Sequence, residues 1–161
     1  MDIENPKIWK IGENLRDILE EMKSASGGDM FRTVSHGFAT PDTKAADKLP
    51  LACILPPERG RFQSQNGLSV DTIKMTMPIY AYFHLPKPQE AMQRLYRFIQ
   101  QLSQEIQDMN FSWFDDTVSI IPGDFAIGDI LKSTGDRDMK LKPPFYGVHL
   151  DLEITINDSS I

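Results

Sequence analysis

Residues 72–84 read TIKMTMPIYAYFH, a stretch in which side chains destined for opposite faces alternate. Alternation of this kind predicts a β-strand with one face in the core and the other towards water or a partner. The core positions are Ile73, Met75, Met77, Ile79, Ala81 and Phe83; the opposite positions are Thr72, Lys74, Thr76, Pro78, Tyr80, Tyr82 and His84. Because Pro78 has no N–H to donate to a sheet, we expect an edge position or a bulge there.

A second long strand is predicted near the end of the chain by the same alternation. Its apolar positions are Val148, Leu150, Leu152, Ile154 and Ile156, with His149, Asp151, Glu153, Thr155 and Asn157 on the other face. Shorter strands are predicted at residues 30–36, 49–55, 118–121 and 125–131. Two strands with one apolar face each require a layer of helices to cover that face.

Two segments have helical periodicity. The first is predicted to start with Asn5 as cap and Pro6 in the first turn, and to end at Gly27 and Gly28. The second follows Pro88 over roughly residues 89–109, and its apolar stripe is Met92, Leu95, Tyr96, Ile99, Leu102, Ile106 and Met109. Gly12 costs the first helix about 1 kcal/mol relative to alanine, which suggests close packing against another element at that point.

The order of these elements predicts an α+β fold. We expect a two-layer sandwich in which two amphipathic helices pack on one face of a mostly antiparallel sheet. The 161 residues are the usual size of one domain, so a single domain is predicted over residues 1–161. Two polar segments, at about residues 56–68 and 132–144, are predicted to be flexible loops.

Composition excludes several classes of protein. One cysteine, Cys53, cannot form an internal disulfide, and its apolar surroundings predict a buried, inert thiol. The first residues do not resemble a signal peptide, and no apolar run is long enough to span a bilayer. The net charge of −6 gives no general attraction to nucleic-acid phosphates, so binding to them would need a local basic patch.

No catalytic, metal-binding or cofactor-binding constellation is visible, so we do not expect an enzyme. The three histidines lie far apart in sequence, at His36, His84 and His149. A group of carboxylates lacks the tight alternating spacing of a calcium loop and favours solvated loop charges: Asp115, Asp116, Asp124 and Asp129.

Two tyrosines on the central strand are candidate binding residues. Tyr80 and Tyr82 are predicted to share a face with Lys74 and His84, a combination that also suits stacking on nucleic-acid bases. This face carries little positive charge, and the overall charge of the protein is negative. Contact with a neighbouring protein subunit is therefore the favoured interpretation.

The polar segment at residues 58–67 contains three further candidates, Arg59, Arg61 and Phe62. Arginine and aromatic residues are enriched at the centres of protein interfaces. The segment is predicted to be either a disordered hairpin tip or an arm that becomes ordered on contact with another subunit.

The layout of the chain resembles the tail terminator, or tail completion, proteins of long-tailed bacteriophages and phage-like particles. An amphipathic helix precedes the segment Leu49–Leu55, a long hairpin strand leads into a second helix, and the proline-rich approach Lys142–Pro144 precedes the last strand, Tyr146–Ile154. The resemblance covers nearly the whole chain and rests on the order and length of its elements.

This resemblance implies a structural protein of the virion tail neck, assembled in the bacterial cytoplasm. It implies a ring, with six copies expected, that caps the head-proximal end of the tail tube and stops its polymerisation. The implied partners are further copies, the tail tube protein and a head-completion or connector protein, with DNA only passing through the lumen and no membrane contact. A head–tail connector or stopper, a tube subunit, and a small-ligand-binding or enzymatic α+β domain remain alternatives.

Overall fold

The computed structural model describes residues 6–37, 50–64, 67, 71–112, 117–128, 130–132, 138–140 and 145–157. It contains two helices, α1 (Lys7–Glu21) and α2 (Pro88–Ser112). The strands are β1 (Thr33–His36), β2 (Leu51–Ile54), β3 (Arg59–Gln63), β4 (Thr72–His84), β5 (Val118–Gly128), β6 (Ile130–Lys132), β7 (Asp138–Lys140) and β8 (Phe145–Asn157).

Six of the strands form one sheet, in the order β1-β2-β4-β8-β5, with β3 also paired to β4. Only the β1–β2 pair is parallel, while the other pairs of this sheet are antiparallel. Strands β6 and β7 form a separate two-stranded antiparallel sheet. The predicted α+β fold, with a mostly antiparallel sheet and helices packed on it, is confirmed.

The main core lies between the two helices and one face of the sheet. All the apolar positions predicted for β4 and β8 point into it. Helix α1 contributes Ile11, Leu15, Ile18 and Leu19, and α2 contributes Ala91, Leu95, Phe98, Leu102 and Ile106. Burial of an aliphatic or aromatic side chain of this size stabilises a fold by about 1.5–3 kcal/mol, so this face dominates the stability of the domain.

The buried face of α2 differs from the predicted stripe. Met92 and Tyr96 are each 55% exposed, whereas Ala91 and Phe98 are almost completely buried. Phe98 forms edge-to-face contacts with Phe31 and Phe83 that hold the helix in this rotation. Leu95, Leu102 and Ile106 fit either stripe, so the periodicity alone did not select the face.

Helix α1 starts one residue later and ends earlier than predicted. Pro6 occupies the N-cap position and no side chain caps the helix, while Asn5 lies outside the described residues. The helix ends at Glu21, and Met22 adopts an extended conformation. A turn follows, in which Ser24 N–H donates to Gly28 O and Gly27 has a φ of 87°. The two glycines therefore shape the turn after the helix and do not end the helix itself.

Pro78 lies in an interior strand, because β4 pairs along its full length with β8. The prediction of an edge position or a bulge was therefore wrong. On its other side β4 pairs with β3 over residues 72–76 and with β2 over residues 79–82, so Pro78 falls where the neighbour changes. Its carbonyl accepts a hydrogen bond from Leu55 N–H, and the missing N–H falls in the gap between two neighbouring strands.

Three segments that were predicted to be loops or a broken strand contain regular strands. Residues 59–63 of the predicted loop at 56–68 form β3, and residues 138–140 of the loop at 132–144 form β7. Strand β5 runs continuously through Pro122 and Gly123, with a register shift between Pro122 and Phe125. A bulge of this kind absorbs the proline without ending the strand.

Candidate functional site

The sheet face that points away from the helices, called the outer face below, has two unlike halves. On the β2 side, Tyr80 and Tyr82 are each only 2% exposed. They belong to a second apolar cluster with Leu51, Cys53 and Leu55, against which Phe145 packs. The outer face is therefore exposed to solvent over only part of its area. The two tyrosines that were expected at a subunit contact are buried inside the protein.

Burial in the second cluster raises the pKa of Cys53 and of Tyr82. Burial raises the pKa of the Cys53 thiol to about 12, and a backbone hydrogen bond from Tyr80 only partly opposes this. Burial also raises the pKa of Tyr82, with smaller contributions from the nearby Cys53 and Tyr80. The prediction of a buried thiol is confirmed, and a thiol held protonated in this way is a poor nucleophile.

The other half of the outer face is an open groove of about 620 Å³ across strands β3, β4, β8 and β5. Three cationic side chains line it, those of Arg59, Arg61 and Lys74, and all three are exposed. Among the described residues, the one charged group of opposite sign that lines it is the carboxylate of Glu153. The remaining outward-facing lining is polar or apolar: Thr76, Thr155 and Ile121. We call this the β3–β5 groove.

Strand register explains why these residues meet. Arg61 lies opposite Lys74, and Lys74 lies opposite Thr155. In the next outward-facing row, Arg59 lies opposite Thr76, and Thr76 lies opposite Glu153. Glu153 in turn lies opposite Ile121. Directly paired residues share one face of a sheet, so one row of side chains from three strands and a second row from four strands point into the same groove.

The cations of the groove are not neutralised within the part of the chain that the structure describes. No ion pair joins Arg59, Arg61 or Lys74 to a carboxylate there, including Glu153. Elsewhere on the surface Arg16 pairs with Glu13 at 2.6 Å and Lys23 with Asp29 at 2.5 Å. Within the described residues, the groove therefore keeps a positive charge that an anionic group could neutralise.

Strand β3 is also an exposed edge of the sheet. Among the described strands it pairs with β4 alone, and residues 59–62 are all exposed. Phe62 is 68% exposed, although its partner Ile73 is buried in the main core. At the far edge of the sheet, β5 exposes Ile121 and Phe125. Unprotected strand edges with apolar side chains are typical sites of contact between protein chains.

The histidines lie in three separate places. His36 Nδ1 lies 2.8 Å from Glu13 Oε1, and its ring packs on Trp9. His149 Nε2 lies 2.7 Å from Asp151 Oδ1, and its ring stacks on Tyr80. His84 packs on Phe145. Within the described ranges, no three histidine, cysteine or carboxylate side chains come together as metal ligands would. Asp124 is exposed on β5, and the other three carboxylates considered above lie outside these ranges.

Of the five residues predicted to form an interface, the structure brings Arg59 and Arg61 into the groove and places Phe62 beside it on the sheet edge. Lys74, Thr76, Glu153, Thr155 and Ile121 complete its outward-facing lining. Sequence reasoning did not include these five among the interface residues because they come from three other strands. Alternation had already placed Lys74 and Glu153 on outward faces, but only the register shows that they meet.

In the described part of the chain, no helix has the length and apolar character of a membrane-spanning segment. No protein-family model matches the chain, and no curated protein sequence matches it. The resemblance to tail terminators therefore rests on the layout of the elements and stays a prediction.

Proposed function

We propose that this chain is a non-catalytic structural protein whose copies assemble into a closed ring, in the manner of phage tail terminators. The ring would cap the head-proximal end of a tail tube, stop its polymerisation and offer a surface to a head-completion protein. The observation that carries the proposal is the exposed edge strand β3, which presents Arg59, Arg61 and Phe62 to solvent.

Two different edges on one chain favour a ring over a two-fold dimer. Strand β3 lies at one side of the sheet and β5 at the other, and each exposes apolar side chains. A contact that joins unlike surfaces is heterologous, and repetition of such a contact closes into a ring when the rotation between copies allows it. A dimer with two-fold symmetry would instead require a single self-complementary surface.

A small-ligand-binding domain is the second candidate, because the volume of the β3–β5 groove falls within the range of ligand pockets. Such pockets enclose most of the ligand and are mainly apolar. The groove instead lies on a sheet face open to solvent and is lined by three cations that form no ion pair with the described residues, which suits a macromolecular surface better than a small molecule.

The test is the mass of the protein in solution, measured by light scattering alone and with purified tail tubes. We expect a discrete oligomer, formed either freely or on the tubes, and tubes that no longer elongate once it has bound. A chain that stays monomeric in both conditions and leaves tube growth unchanged contradicts the proposal. Specific binding of a small metabolite by the monomer, measured by calorimetry, would favour the second candidate.

A further inference from the structure

The β3–β5 groove is positively charged in an acidic protein. With three cations and one carboxylate it carries a charge of +2, so the remaining residues carry −8 of the net −6. Opposite potentials on two surfaces steer association and fix the orientation of the complex. The rest of another copy is therefore an electrostatically suitable partner for this groove.

The groove also holds an unfavourable internal pair. Arg61 and Lys74 occupy directly opposite positions on β3 and β4. Like charges at directly opposite positions destabilise a sheet. A carboxylate placed between these two side chains would replace repulsion with two attractive contacts.

A negatively charged surface, complementary to the positive charge of the groove, lies at the C-terminal end of helix α1. Asp17, Glu20 and Glu21 are exposed, and the last turn of the helix contains no basic residue. The C-terminal end of a helix carries a partial negative charge, so acidic side chains there are unfavourable. Arg16 lies 4.0 Å from Glu20. Asp17 and Glu21 have no ion-pair partner in the described part of the chain.

The spacing of the two sets of charges matches. Arg59 and Arg61 are two residues apart on a strand, which separates them by roughly 6.6 Å along it. Asp17 and Glu21 are four residues apart on a helix, and their Cβ atoms are separated by about 5–6 Å. Two parallel ion pairs can therefore form at once, with Lys74 beside them as a third cation.

We propose that the β3–β5 groove of one copy binds the acidic C-terminal end of helix α1 of a second copy. Asp17 and Glu21 of that copy pair with Arg59 and Arg61. The inference rests on the proposed assembly and identifies the two surfaces that form its contact.

The contact is head-to-tail because its two halves lie on opposite layers of the domain. Helix α1 packs on the core face of the sheet, and the groove lies on the outer face. One copy can therefore offer its groove to one neighbour and its helix end to another. Repetition of this contact generates either a closed ring or an open filament.

The test uses complementary charge reversals in the full chain. The groove variant is Arg59→Glu with Arg61→Glu, and the helix variant is Asp17→Lys with Glu21→Lys. A control matched to the groove variant, Lys87→Glu with Arg97→Glu, makes that variant's change of charge at two exposed positions on the α2 side. Self-association is measured by sedimentation at low ionic strength, up to about 1 mM protein, where a contact of about −4 kcal/mol is half formed. Circular dichroism confirms that each variant is folded.

We expect each reversal variant to self-associate at least about tenfold more weakly than the native chain, while the control stays unchanged. An equimolar mixture of the groove and helix variants should recover association, because each contact between unlike variants pairs opposite charges again. Added salt should weaken the native contact. The helix variant should also be at least as stable as the native chain, since lysine suits a helix C-terminus.

Several results would overturn the inference. Native self-association that neither variant weakens would exclude this contact and leave the proposed ring intact. Weakening without recovery in the mixture would show that the groove binds another surface. Binding of a duplex or single-stranded oligonucleotide that requires Arg59 and Arg61, with self-association unaffected, would assign the groove to nucleic acid. A native chain that remains monomeric at about 1 mM also excludes the contact, whereas the tail-tube experiment tests the ring separately.

Discussion

Arg61 of β3 and Lys74 of β4 lie directly opposite each other, so two like charges face each other across one pair of strands. Neither forms an ion pair in the described part of the chain, although Glu153 lines the same groove. Positions such as these are where a surface adapted for binding departs from the arrangement that would best stabilise the isolated chain.

Removal of the Lys74 charge should therefore stabilise the isolated chain. We expect Lys74→Thr to raise the free energy of unfolding by roughly 0.5 kcal/mol, since threonine relieves the repulsion and suits a strand. The same substitution should weaken self-association. Lys74→Arg keeps the charge and should change neither quantity, so a loss of stability in the threonine variant alone would contradict the argument. Urea unfolding and sedimentation measure the two quantities.

Gly12 of α1 leaves room for the ring of His36 on β1. A Cβ atom at position 12 would overlap that ring, which a contact with Glu13 and packing on Trp9 hold in place. We expect Gly12→Ala to destabilise the fold by about 1–3 kcal/mol through this overlap, despite the better helix propensity of alanine. The measurement is urea unfolding.

The control for Gly12 is the same substitution in a His36→Ala background. With the ring removed, alanine should instead stabilise the chain by up to about 1 kcal/mol, because only the helix propensity remains. Equal effects of Gly12→Ala in both backgrounds would show that the contact with His36 is not the reason for the glycine.

The Tyr82 hydroxyl is buried and has no hydrogen-bond partner among the described residues. A buried polar group without a partner lowers stability, whereas the ring itself contributes packing. We expect Tyr82→Phe to leave the free energy of unfolding unchanged or to raise it by up to about 1 kcal/mol, and Tyr82→Ala to lower it by about 3–5 kcal/mol. A loss of more than 1 kcal/mol in the phenylalanine variant would reveal a bonded hydroxyl.

The buried thiol should make the protein sensitive to alkali. The pKa of Cys53 is about 12 in the folded chain, against an ordinary value of 9.0. Between these values the unfolded chain has lost the thiol proton and the folded chain keeps it, so stability falls as the pH rises. From pH 8 to 10 we expect a loss of about 1.4 kcal/mol from this group. Cys53→Ala should reduce that loss. The free energy of unfolding is measured with urea across this pH range, and the same pH dependence in the variant and the native chain would refute the prediction.

Phe62 should matter for assembly and not for folding. Its side chain is 68% exposed on an edge strand, so Phe62→Ser removes little buried area and should change stability by no more than about 0.5 kcal/mol. If β3 contacts a neighbour, the same variant should weaken self-association. Met92→Ser, at a 55% exposed position of α2, is the matched control. Equal association of both variants and the native chain would remove Phe62 from the interface.

The core of the sheet followed from the sequence because a strand alternates with a period of two residues. The inward positions of β4 and β8 are those that alternation selected. Helix α2 was harder to orient, because its apolar residues cover more than one face. Met92 and Tyr96 satisfy the helical period as well as Ala91 and Phe98 do, and contacts of Phe98 with Phe31 and Phe83 decide between them.

The outer face shows where alternation stops being informative. Lys74 and Tyr82 have the same parity on β4, yet one is exposed and the other is buried. Alternation along a strand predicts which face of the sheet a side chain lies on. It does not predict which strand lies next to that side chain. Tyr82 lies beside β2 in an apolar cluster, and Lys74 lies beside β3 and Arg61.

By itself the sequence determined the α+β class, the two helices, the two long strands and their inward faces, since these depend on local periodicity. Only the tertiary structure decided that Thr72–His84 is an interior strand, that Tyr80 and Tyr82 are core residues, and that Arg59 and Arg61 share a groove with Lys74 and Glu153. These features depend on which strands are neighbours and in what register. Contacts between residues as distant as 61 and 153 determine both, and no local pattern records them.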